Sequence, residues 1–307
     1  MLLDGRQSIN REATMTTHLR LASFPHVSYL PQFIAQALGY FADEGLDVSL
    51  APHTGSWGAL LAAPGERAVD LIIGNIWFAL RQPGRLLPAA HGMQHSRFIL
   101  YRRPEHHEEF NWHQLDGAVV LIASEVPTPW IAFREALRLQ GLSLDRVRAV
   151  TGYPAGDAAA DLARGQADFA LLGIEDGMRH GLAEAASLAT TIGPVPWSVY
   201  LANAGDLAAR APVYRAFQRA IGHALAAIQE RASAELAALA APWFPGLDQT
   251  TAARIIGRYR ALDAWPATPD IEPEHVSRWH DAMLRWGLLH DPVDWQPLLR
   301  FSNGADF

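Results

Sequence analysis

The chain has 307 residues, half of them hydrophobic and 19% charged, with a formal net charge of -7, which suits about two ordinary domains of roughly 150 residues. The net charge is acidic and the arginines are scattered among acids, so the basic stripe that neutralises phosphates is missing and nucleic acid is not an expected partner. There is no cysteine and all 25 Lys+Arg positions are arginine, which excludes disulfides, thiolate metal sites, cysteine nucleophiles and Schiff-base chemistry.

Residues 1–17 are polar and without pattern and read as a flexible tail. They hold no apolar run of signal-peptide length, and no later stretch approaches the roughly 20 apolar residues of a membrane span. As written, the expected compartment is the cytoplasm; a start elsewhere that adds a leader would make it the periplasm. A strand is expected at 18–24, broken by Pro25, then a helix over 30–41 closed by Gly45, a strand at 46–52, a helix at 56–63 and a buried strand at 69–74. The polar stretch 102–114 reads as a boundary. Alternation then resumes, with strands at 117–123, 146–150 and 167–173 and helices at 129–140 and 157–164. A strand at 195–203 precedes a helical remainder, with helices at 211–231, 250–262 and 274–288. Strand–helix alternation of this kind predicts mostly parallel sheets flanked by helices.

Two blocks share a phrase. ALLAAPGERAVDLIIGN (59–75) and AADLARGQADFALLGIE (159–175) both run from an Ala/Leu helix through a Gly stop and an Asp into a four-residue apolar strand, then a turn and a polar residue. This predicts two similar lobes. Ligands of open α/β sheets sit beyond the carboxyl ends of the strands, so Asn75 and Glu175 are placed at corresponding positions facing one cleft.

The run LPQFIAQALGYFADEGLDVSL (30–50) resembles the opening signature of receptors for alkanesulfonates, taurine, nitrate-type anions and thiamine-pyrimidine precursors, the SsuA/THI5-like family. LDGAVVLIA (115–123), LARGQADFALLGIED (162–176) and WGLLHDPVDWQPLL (286–299) resemble later segments of the same family. The resemblance implies an α/β, two-lobed periplasmic-binding-protein-like fold of type II: two Rossmann-like lobes joined by two crossing strands, near 97–102 and 192–200. Lobe one would be 18–100 plus 197–300, lobe two 101–196, and 301–307 a tail. The implied function is a monomeric solute-binding protein that captures a small cyclic, zwitterionic or amine-bearing compound for an ABC permease and ATPase, with no cofactor and no metal. The alternative is a cytoplasmic enzyme on the same scaffold, a lyase with His26 as base and Glu175 as acid. The desulfinase branch of the fold uses a cysteine and the pyrimidine-synthase branch a histidine near the position of Trp77, and this chain has neither. A cytosolic ligand sensor is a third reading. The receptor is favoured.

The candidate ligand contacts are His26, Tyr29, Ser56, Trp57, Asn75, Trp77, Ser124, Glu125, Glu175 and Trp197. His26 and Tyr29 follow the first strand, where rings both stack and hydrogen-bond; equally, Tyr29 staples a helix and His26 lies exposed. Ser56 opens a helix whose free N–H groups suit an anion, or it simply caps that helix, and Trp57 is lid or core. Trp77 is a stacking platform or core. Ser124 and Glu125 occupy a turn that is Gly-rich and binds phosphate in the pyrimidine synthases. Here Glu125 disfavours phosphate and, with Glu175, favours an amine or ring nitrogen, unless it points to solvent. Glu175 matches a glutamate of the pyrimidine-binding relatives, and Trp197 lies on the second crossing. The run His106-His107-Glu108-Glu109 has metal-binding residue types but reads as a solvated charge run.

Overall fold

The structure, a computed structural model, describes residues 16–52, 69–106, 108–123 and 126–304. Two five-stranded mixed sheets organise them. In the first, β1 (Thr17–Ser23), β2 (Leu46–Pro52) and β3 (Leu71–Gly74) form a parallel trio in the order β2-β1-β3. In the second, β6 (Val119–Ala123), β7 (Arg148–Tyr153) and β8 (Phe169–Gly173) do the same in the order β7-β6-β8. Each trio is extended by an antiparallel strand that arrives across the hinge. β10 (Ser198–Asn203) pairs with β3 and with β4 (Leu86–Met93), while β5 (Phe98–Arg102) pairs with β8 and with β9 (Ala183–Ser187). The repeated phrase thus marks equivalent third strands, β3 and β8. Both are buried along their length, as strands covered by helices on both faces must be.

The expected helix at 30–41 is two pieces. α1 (Leu30–Ala37) ends before Gly39, whose φ of 78° starts a second short helix, because only glycine takes that conformation without strain. The helix expected at 56–63 falls outside the described residues. α2 (Trp77–Leu80) follows β3, α3 (Thr128–Leu139) follows β6, α4 (Ala155–Ala163) follows β7, and α5 (Ile174–Arg179) follows β8. α6 (Ala211–Glu230) buries Tyr214, Phe217, Ile221, Leu225 and Ile228 along one face, the three- and four-residue spacing of an amphipathic helix. α7 (Gln249–Ala261) and α8 (Pro273–Arg285) complete the C-terminal part. Among the described residues no helix is long and apolar enough to cross a membrane.

The chain passes between the sheets at residues 94–97 and 193–197, where the Val195 amide donates to the Gln94 carbonyl (2.8 Å) and ties the crossings together. Close packing under β5 needs Gly177. A Cβ there would overlap the fully buried ring of Tyr101. Gly177→Ala is therefore expected to lower unfolding free energy by about 1–3 kcal/mol through overpacking. An unchanged urea midpoint would show that Tyr101 can move aside.

Candidate functional site

The carboxyl ends of both parallel trios open into one cleft of about 650 Å³ at the hinge. β1 delivers Phe24 to His26, β3 delivers Asn75, and β8 delivers Glu175 and Asp176. The crossings contribute Arg97, Phe98, Trp197 and Ser198 from below, and the segment 243–247 adds Trp243 and Phe244 as a wall. This is where an open α/β sheet places a ligand.

At the floor lies a buried carboxylate. Glu175 is 8% exposed, and an unpartnered charge there would cost far more than the fold could spare. It is not unpartnered. The Tyr259 hydroxyl donates to it at 3.0 and 3.1 Å, His26 Nδ1 lies 3.2 Å from Oε1, and Arg97 Nη1 lies 3.9 Å from Oε2. Arg97 Nη1 also donates to His26 Nε2 at 2.9 Å, while His26 Nδ1 accepts from the Ser28 amide at 3.2 Å and lies 2.8 Å from Ser28 Oγ, so both ring nitrogens are engaged by the protein. Burial raises the Glu175 carboxyl above its usual range, against the pull of Arg97. Burial and the Arg97 and Arg179 charges hold the imidazole of His26 well below its usual value. Gly173 permits the arrangement: a Cβ there would sit 2.5 Å from Arg97 Nη1. The arginine lies over the Phe98 ring at 4.6 Å, and its Nε and Nη2 have no protein partner among the described residues.

Among the sequence candidates, His26, Tyr29, Asn75, Trp77, Glu175 and Trp197 all line this cleft. Ser56, Trp57, Ser124 and Glu125 lie outside the described residues. The roles differ from those expected. Glu175 is occupied by Tyr259, His26 and Arg97, so it positions the arginine rather than meeting an amine itself. Asn75 is likewise engaged. Its amide donates to the Trp197 carbonyl (2.8 Å), and its Oδ1 accepts from the Trp77 amide (3.0 Å) and Trp279 Nε1 (3.2 Å), which makes it a brace between β3 and the second crossing. Tyr29 is enclosed, and burial raises its phenol above the usual value. Trp77 keeps a half-buried ring on the cleft, with an enclosed Nε1 that has no hydrogen-bond partner among the described residues. Trp197 is nearly buried between Phe98 and Trp279.

Sequence reading missed Arg97, Thr128, Tyr153, Asp176, Arg179, Ser198 and the Trp243–Phe244 wall. Arg97 had a detectable signal, a lone cation entering the apolar strand FILY at an expected crossing. Trp243 and Phe244 had none, since helix packing alone brings them to the cleft, where Phe33 contacts both.

The depressed His26 pKa predicts a pH effect. Its folded-state value lies below the unfolded one, so the unfolded chain takes the proton first as pH falls. The contribution is full above about 6.5 and is lost on acidification towards the folded-state value. Wild-type stability should thus fall more between pH 7 and pH 5 than that of His26→Gln. Parallel slopes in chemical denaturation would rule the effect out.

No curated protein sequence gives a significant match. Among solved structures, the chain resembles the periplasmic aliphatic sulphonate binding protein SsuA from Escherichia coli, at 17% identity and a TM-score of 0.73 over 92% of this chain and 97% of that one. It also resembles the alkanesulfonate-binding SsuA from Xanthomonas axonopodis pv. citri bound to MOPS, at 16% identity and a TM-score of 0.67 over 92% and 97%. The desulfurization enzyme DSZB is similar too, at 16% identity and a TM-score of 0.66 over 94% and 98%. At these identities the likeness concerns the fold. The family profile described as NMT1/THI5 like matches residues 27–233, two thirds of the sequence, and the chain belongs to that family.

Proposed function

We propose that this protein is the solute receptor of an ABC-type importer and closes two lobes, 18–100 plus 197–300 and 101–196, on a small cyclic or aromatic organic anion. The observation that carries this reading is Arg97. It sits on the first crossing, its charge is aligned by Glu175 and His26, and two of its donor nitrogens remain for a ligand. Two helix N-termini reinforce it. α3 begins at Thr128 and α4 at Ala155, both on the cleft and both without a side-chain cap, and such ends favour negative charge. Aromatic faces from Tyr29, Trp77, Tyr153 and Trp243 suit a ring. The solved sulfonate-binding relatives of the same fold support the receptor and the acidic head group. The expectation of an amine-bearing ligand rested on Glu125 together with Glu175; Glu125 lies outside the described residues, and the Glu175 carboxylate is engaged by Tyr259, His26 and Arg97.

The geometry favours capture over catalysis. A lyase base at His26 would accept a proton on a free ring nitrogen, but Nε2 already accepts from Arg97 and Nδ1 faces Ser28 and Glu175.

Titration with benzenesulfonate, followed by native tryptophan fluorescence, tests the reading against benzylamine as the cationic counterpart. The anion should bind and the amine should not. Arg97→Gln should weaken the anion roughly tenfold to a hundredfold, since a hydrogen bond to a charged group is worth about 1.5–3 kcal/mol. Equal binding of the two probes, or an affinity indifferent to Arg97→Gln, would overturn the anion reading. Consumption of the probe by pure protein, abolished by His26→Gln, would favour the enzyme.

A further inference from the structure

Away from the cleft, the C-terminal helices touch both lobes. On the first-lobe side, Trp265 Nε1 after α7 donates to the Ser28 carbonyl (2.9 Å), and Trp279 Nε1 in α8 donates to Asn75 Oδ1 (3.2 Å). Both crossings are held as well: Gln94 Nε2 donates to the Asp263 carbonyl at 2.9 Å, and Arg278 Nη1 donates to the Pro194 carbonyl at 2.8 Å. The far ends of the same helices reach the second lobe. Arg258 of α7 grips Glu184 of β9 with Nε at 2.9 and 3.0 Å from its two oxygens. Arg285 at the end of α8 reaches Glu135 of α3 with Nη1 at 3.0 Å from both oxygens, and Trp286 Nε1 donates to the same carboxylate at 2.9 Å. Glu135 is 7% exposed, and the Trp286 ring is covered by Arg134 at 4.3 Å. α8, with 13 residues, spans about 20 Å at 1.5 Å per residue, enough to pass the hinge and engage both sides.

We propose that α7 and α8 form a latch across the hinge: Arg258, Arg285 and Trp286 close on Glu184 and Glu135 of the second lobe and hold the two lobes together independently of any ligand. Three features support it. Arg258 meets Glu184 through two nitrogens, Nε and Nη2, the bidentate geometry in which such pairs contribute most, and Arg285 and Trp286 together engage Glu135. One of the carboxylates is buried, so release leaves it without its tryptophan donor. Neither Glu135 nor Glu184 lines the ligand cleft, so their purpose is not recognition of the solute. Opening about crossings 94–97 and 193–197 must therefore break one end of this arm, and the arm sets how far the resting equilibrium lies towards the closed form.

The absence of native cysteine makes the test direct. Ala42→Cys in the first lobe and Ala163→Cys in the second, both exposed, accept spin labels without background, and pulsed dipolar spectroscopy on the unliganded protein then reads the interlobe distance. Adding Arg258→Ala with Arg285→Ala should move the distribution to longer distances and broaden it. Arg138→Ala removes another arginine from the same Glu135 without crossing the hinge, and should leave the distribution as in the parent. The isosteric pair Glu135→Gln with Glu184→Gln keeps the shape of the site and should show the same lengthening, with circular dichroism confirming the fold. A parent-like distribution in the isosteric pair, or an equal shift in Arg138→Ala, would overturn the proposal. No ligand enters the experiment, so its failure would not touch the receptor reading.

Discussion

A carboxylate buried where two lobes meet constrains more of this molecule than any other single group. Glu175 must be neutralised or bonded once water is excluded, and the partners it takes come from three distant stretches: His26 after the first strand, Arg97 on the first crossing and Tyr259 on α7. Satisfying one side chain therefore sets the loop after β1, the direction of the crossing and the seat of a C-terminal helix. Gly173 is small for the same reason, because the arginine passes where a Cβ would stand.

The chemistry of the cleft follows from that arrangement. With Arg97 Nη1 engaged by His26 and near Glu175, and the guanidinium lying over Phe98 at the edge of the cleft, the arginine is preorganised and loses little freedom on meeting a ligand. His26 cannot carry a positive charge cheaply beside two arginines in a dry site, so it serves as a neutral spacer that accepts from Arg97. Asn75 and Trp279 brace the second crossing in the same way as Gln94 braces the first. The hinge is thus built from a few backbone bonds and side-chain hydrogen bonds to backbone carbonyls rather than from a continuous sheet, which permits rotation between the two layers.

The C-terminal third, which lies beyond the alternating βα pattern, changes the picture of two lobes joined by two strands. α7 and α8 lie alongside both crossings and contact each lobe. Closure in such a molecule is a balance between the cleft, which gains ligand contacts, and an arm whose ion pairs act at a distance from it.

Much of the architecture was legible in the sequence because it rests on local patterns. The alternation of apolar strands with amphipathic helices, the glycines ending helices and the repeated Gly–Asp–strand phrase are properties of short windows, and they placed β1 to β3, β6 to β8, β10 and the long C-terminal helices within a few residues. Two strands were not legible. AEAAS at 183–187 has the composition of a helix and becomes β9 only by pairing with β5, as tertiary context overrides propensity. β4 carries Pro88, which its edge position tolerates. The site divides along the same line. Positions after strand ends could be counted along the chain, so His26, Asn75 and Glu175 were placed on the cleft from sequence. Their roles could not be counted, since those depend on Tyr259, Arg97 and Trp279, residues 71 to 204 positions away. Local periodicity decides which residues face a cleft. Whether a carboxylate there meets a ligand or is already bonded by the protein is decided by long-range packing, and only the tertiary structure records it.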